Sequence, residues 1–113
     1  MLLDIKFQKI NSASYVISGD TYINEELTKI INKDENISAL LIDCSFPEKL
    51  ENIAKLSNHL TPHLVKQQIS QFKNKNLEIY VYHVKHCYLD NIKSELDELK
   101  VFSNGGKILE DGA

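Results

Sequence analysis

Ala39-Leu40-Leu41-Ile42-Asp43-Cys44-Ser45-Phe46-Pro47 decides the fold. Four consecutive apolar residues without alternation have the pattern of a short strand covered on both faces in an α/β sheet. The run stops at Asp43. Ser45 to Glu48 then has the Ser-x-x-Glu spacing of a capping box, with Pro47 suited to the first helical turn. A strand that ends in a carboxylate and passes directly into a helix puts that carboxylate at the sheet edge where open α/β folds gather reactive groups.

The flanking sequence extends the same pattern. Toward the N-terminus, Leu3-Asp4-Ile5-Lys6-Phe7-Gln8 alternates as a strand with one wet face, Asn11-Ser12 supplies a turn, and Tyr15-Val16-Ile17 reads as a second strand broken by Gly19. Ile23, Leu27, Ile30 and Ile31 follow at helical spacing, with Thr21 or Asn24 able to cap. Toward the C-terminus, Leu50, Ile53 and Ala54 form one apolar stripe. Thr61-Pro62 starts another helix, lined by Leu64, Val65, Ile69 and Phe72. Leu77, Ile79 and Val81 mark a strand; Leu89, Ile92, Leu96 and Leu99 mark the last helix. Asn104-Gly105-Gly106 is a turn before a short strand over 107–109. The order β-β-α-β-α-α-β-α-β predicts one domain over residues 1–113, a mixed sheet with helices mainly on one face, because parallel crossovers share a hand. The second sheet face is then left for a partner or a second copy to cover.

At 113 residues, the chain has the size of an independent core. A net charge of −3 lacks the concentrated basic stripe that nucleic acid demands. Lys73 and Lys75 read as solvated loop charges. No apolar run approaches a membrane span. Two cysteines and no secretory leader point to the cytoplasm, with Cys44 and Cys87 as buried or half-buried thiols.

The strand ends carry the chemistry. Asp20 follows residues 15–18, Asp43 follows 39–42, and His83 follows 77–82. On adjacent parallel strands, two carboxylates and an imidazole face one crevice. His59 reaches the same rim, and the helix start at Thr61-Pro62 offers N–H groups to a phosphate. Carboxylate plus imidazole suits Zn²⁺ or Mn²⁺. Each residue also has a plainer use: Asp20 and Asp43 as turn formers, the histidines as hydrogen-bonded side chains, His63 as an exposed one. His83, His86 and Cys87 lie close in sequence, but on a strand exit their side chains need not converge.

Five stretches agree in order and spacing with a known family: Gly19-Asp20-Thr21, Leu41-Ile42-Asp43-Cys44-Ser45-Phe46-Pro47, Leu56-Ser57-Asn58-His59-Leu60-Thr61-Pro62, Tyr80-Val81-Tyr82-His83-Val84-Lys85 and Ile108-Leu109-Glu110-Asp111-Gly112. Residues 19–112 resemble the C-terminal portion of the class II 3′,5′-cyclic-nucleotide phosphodiesterases, in the metallo-β-lactamase superfamily. The resemblance implies half of an αββα sandwich and a hydrolase of cyclic nucleotides such as cAMP. It implies Asp20 as the carboxylate bridging two metal ions, His83 as the last histidine ligand, and His59 as the catalytic histidine beside the scissile phosphate. Two ions about 3.5–4 Å apart would act on the cyclic phosphate, giving a nucleoside 5′-monophosphate. The family's His-x-His-x-Asp-His motif is absent from these residues, and His86 and Cys87 replace small or apolar ones. Two remaining ligands cannot organise a two-metal centre, so the isolated chain is expected to be inactive. It would work only with a complementing N-terminal chain. Alternatively, it is a truncated, non-catalytic remnant that self-associates, as a homodimer, into an interaction module.

Overall fold

The computed structural model describes residues 6–10, 13–19, 22–34 and 36–109, with 6–10 and 13 described by their backbone alone. The start of the predicted first strand at 3–5, the 11–12 turn, Thr21 and the 110–112 stretch lie outside the described residues. β1 (Lys6–Ile10) and β2 (Ala13–Ile17) pair antiparallel, Phe7 opposite Val16. β2 runs parallel to β3 (Ile37–Asp43), and β3 parallel to β4 (Glu78–Tyr82), with Leu40 opposite both Val16 and Ile79. The sheet order β1-β2-β3-β4 is the expected mixed sheet. The final strand expected at 107–109 is reduced to one parallel bridge between Ile108 and Val81. Val81 N–H still donates to Lys107 O at 3.0 Å, and Leu109 N–H to Val81 O at 2.7 Å.

α1 (Glu25–Lys33) is capped by Asn24, whose side-chain oxygen accepts from the N–H groups of Glu26 and Leu27. α2 (Glu51–Leu56), α3 (Pro62–Ile69) and α4 (Leu89–Glu98) follow, α2 and α4 each led in by a 3₁₀ turn. Leu27 and Ile31 of α1, Leu64 and Val65 of α3, and Ile92 and Leu96 of α4 join Val16, Leu40, Ile42, Ile79 and Val81 in one buried cluster. Each such side chain contributes about 1.5–3 kcal/mol relative to exposure. Buried Gln68 binds α3 to α1: its side chain accepts from Asn24 N–H at 2.8 Å and donates to Asn24 O at 3.1 Å and Thr28 Oγ1 at 2.8 Å.

The cluster sits on one face of the sheet. Alternation in β2, β3 and β4 sends Tyr15, Ile17, Ala39, Leu41, Tyr80 and Tyr82 to the other, where all six are half-buried and stand outside the core cluster. The apolar run of β3 is therefore fully covered on one face only, through Leu40 and Ile42. Sequence reading expected both. A run of adjacent apolar residues reports that each face is apolar, not that each is already covered.

Candidate active site

Asp43 closes β3 and is fully buried. A carboxylate there is costly unless partnered, and three side chains meet it. Its Oδ2 lies 2.5 Å from His59 Nδ1, its Oδ1 accepts from Ser45 Oγ at 2.6 Å, and the same Oδ1 lies 3.3 Å from His83 Nδ1. Burial pushes the Asp43 carboxyl above its ordinary 3.8, and the Ser45 hydroxyl and the two imidazoles pull part of the way back. The imidazoles stand side by side, ring centroids 5.3 Å apart, and His59 and Phe46 pack at a steep 63° angle, centroids 5.9 Å apart. His59 is 15% exposed and His83 45%, so the pair forms the wet side of a site whose floor is Asp43.

Backbone geometry delivers both histidines. α2 ends with Asn58 in the left-handed region, φ 61°; Asn58 N–H bonds Lys55 O and His59 N–H bonds Ala54 O at 2.8 Å. This is a Schellman ending, with Asn as its left-handed residue and His59 next after it, so termination of the helix itself aims His59 back at β3. His83 follows β4 and is also left-handed, φ 63°. Such a conformation costs a non-glycine residue about 1–3 kcal/mol and collects at functional sites.

Two sequence expectations fail nearby. Ser45 does not cap the following helix. Its hydroxyl turns into the Asp43–His83 cluster, and the chain enters a 3₁₀ turn at Glu48, with no side-chain cap. Glu48 in turn fills the seat expected for a phosphate, since its carboxylate accepts from the His63 N–H in the first turn of α3. An anion already occupies that helix end.

Asp20 lies outside the described residues. Cys44 is buried, and burial pushes its thiol well up, as expected of an inert core thiol. Cys87, expected to be at least half-buried, is exposed in the turn before α4 together with His86. Neither belongs to the group of described residues able to hold a metal ion, which is Asp43, His59 and His83, each with a donor atom within 4.8 Å of the others. One carboxylate and two imidazoles fit a divalent cation chemically. A cavity of about 340 Å³, lined by Lys66, Lys75 and Lys100 among others, opens by Leu77 at the far end of β4 and includes none of these residues.

Sequence reading put His59, His83 and the strand-end Asp43 at one crevice, but did not pair Asp43 with His59 and missed Ser45. The Ser-x-x-Glu spacing concealed Ser45, because a capping box explains the residue before any site does. The signal that Asn58 ends a helix was present in the sequence and would have oriented His59.

No family model matches the chain, and no curated protein matches it by sequence. Solved structures do match in shape. Unliganded yeast PDE1 superposes with a TM-score of 0.67 at 18% identity, over 88% of this chain and 35% of that one. The metallo-β-lactamase fold protein YhfI from Bacillus subtilis superposes with a TM-score of 0.67 at 18% identity, over 96% of this chain and 47% of its own. The chain therefore has the architecture of part of a metallo-β-lactamase fold, and spans less than half the length of either protein.

Proposed function

We propose that these residues form the C-terminal portion of a metal-dependent phosphodiesterase that hydrolyses a cyclic nucleotide such as cAMP. The observation that carries this reading is the short contact between buried Asp43 and His59, with His83 beside both at the end of a parallel strand. A carboxylate that holds an imidazole by one nitrogen leaves the other directed outward, the arrangement of a positioned proton donor. In this reading His59 gives its proton to the 3′ oxygen as the P–O3′ bond breaks and water oxygen bonds to phosphorus. The product is a nucleoside 5′-monophosphate. His83, with Asp20, would hold Zn²⁺ or Mn²⁺, while Asp43 keeps the neighbouring His59 in place for its proton transfer. When bound, such an ion supplies Lewis acidity to the phosphoryl oxygens and lowers the pKa of attacking water. Lys85, its ammonium 5.4 Å from the Phe46 ring centre, adds positive charge at the rim.

The remaining ligands would come from polypeptide bearing His-x-His-x-Asp-His, outside these 113 residues. The chain by itself is then inactive. Free thiols at Cys44 and Cys87 suit a reducing cytoplasm. Among the described residues no helix is long and apolar enough to cross a membrane. The test is cAMP turnover with added Zn²⁺ or Mn²⁺, by the chain alone and with a complementing chain. Turnover is expected only in the second case, and His59→Ala should lower it by about 10²–10⁴-fold, the usual share of a general acid. Turnover by the complemented pair that ignores both His59→Ala and His83→Ala would end this reading.

The half-buried sheet face favours a second reading, in which the chain is a non-catalytic module that self-associates as a homodimer through that face. The two readings separate on metal content: a stoichiometric ion in the chain purified without chelators supports the first.

A further inference from the structure

Ser45 is fully buried, and its Oγ has four polar neighbours: Asp43 Oδ1 at 2.6 Å, His83 Nδ1 at 3.0 Å, the His83 carbonyl at 3.1 Å and His59 Nδ1 at 3.3 Å. A hydroxyl has one proton to give and two lone pairs that accept. The shortest contact goes to a carboxylate, the strongest acceptor present, so the proton lies toward Asp43. The Ser45 oxygen then faces His83 Nδ1 as an acceptor, and two lone pairs at 3.0 Å would repel. His83 Nδ1 must therefore carry a hydrogen. The same reasoning applies to His59, whose Nδ1 lies 2.5 Å from Asp43 Oδ2.

That distance also separates two uses of the cluster. Ligands on one tetrahedral zinc, with bonds of about 2.1 Å, stand about 3.4 Å apart. Asp43 Oδ2 and His59 Nδ1 are closer than that, at hydrogen-bond range. We infer that Ser45 is a positioning residue which, with Asp43, fixes His83 and His59 in the Nδ1–H tautomer, so that Nε2 is the free nitrogen of each ring: a lone pair for a cation at His83 and, once it has taken up a proton, the donor to the leaving oxygen at His59. One carboxylate and one hydroxyl thus orient two imidazoles, as outer partners of ligating histidines commonly do. The inference deepens the phosphodiesterase reading by naming the working atom of each ring, and rests on that reading only for what Nε2 meets.

The test is nitrogen-15 NMR of the histidine-labelled, metal-free chain, under conditions in which the rings are neutral. Wild type should show both His59 and His83 as Nδ1–H, the minor form of a free histidine side chain. Ser45→Ala should lose the fixed state of His83, which becomes a mixture of tautomers. His59, whose Nδ1 lies 2.5 Å from Asp43 against 3.3 Å for His83, should keep its own. Asp43→Asn should disturb both rings, and Ser45→Thr, which keeps the hydroxyl, should restore His83. A ring hydrogen on Nε2 of His83 in wild type would overturn the inference, and so would a His83 spectrum unchanged in Ser45→Ala. The wild-type and Ser45→Ala spectra decide the matter even if Ser45→Thr does not fold. No metal or substrate enters the measurement, so a failure of cAMP turnover would leave the spectra standing, and the reverse.

Discussion

Asp43 couples the site to stability. Burial raises its folded-state carboxyl above 3.8, its value when unfolded. The folded chain then holds this proton more tightly than the unfolded chain does. The contribution is fully present below 3.8 and is lost as pH rises through the folded-state value. Urea midpoints measured over that window should therefore show wild type gaining on Asp43→Asn as the pH is lowered. A difference between the two that stays flat across the window would mean that burial does not dominate the environment of Asp43. The neighbouring histidines owe their placement to the main chain, left-handed at Asn58 and at His83. Asn tolerates that region through its short polar side chain. His83 adopts it at the edge of the site, where strain of this kind serves to fix a ring.

Among the elements, two helix ends share one device. α4 closes as α2 does: Lys100 is left-handed, φ 57°, with Val101 N–H on Leu96 O at 3.2 Å and Lys100 N–H on Asp97 O at 3.1 Å. Glycine is the residue that this position favours. Lys100→Gly should raise unfolding stability by about 0.5–1 kcal/mol, read from the urea midpoint. Gly106 behaves in the opposite sense. Its φ is +103°, and a Cβ there would stand 1.9 Å from the Ile79 carbonyl oxygen. Gly106→Ala should cost about 2–4 kcal/mol and loosen the 107–109 stretch from β4, read as lost amide-exchange protection of Val81 and Leu109.

For the whole molecule, the side of the sheet away from α1, α3 and α4 is an apolar face whose side chains stay half-buried. Leu41 lies between Ile17 and Tyr80 on that face, with Ala39 and Tyr15 alongside. An apolar face of this kind marks an interface or an aggregation hazard. The 113-residue chain by itself should self-associate with rising concentration in light scattering on a sizing column. Leu41→Lys should shift it to monomer while leaving the helix-covered core intact. A wild-type chain that stays monomeric at high concentration would set the dimer aside. Leu56, 86% exposed, and Ile53, 49% exposed, belong to α2 beside the site and not to this face, so they serve as control positions.

Local pattern carried much of this molecule. Alternation and apolar runs placed β2, β3 and β4, helical spacing placed α1, α3 and α4, and the strand-end rule pointed to Asp43 and His83, because periodicity and turn chemistry act over a few neighbouring residues. What Ser45 and Glu48 do was not legible. Each had a satisfactory local role as a helix cap, and the folded site drew them away from it, Ser45 to Asp43 and His83 and Glu48 to His63. The pairing of Asp43 with His59, and which face of β3 is covered, were likewise decided by tertiary structure. A sequence states which groups must be satisfied, whereas packing determines which distant group satisfies them.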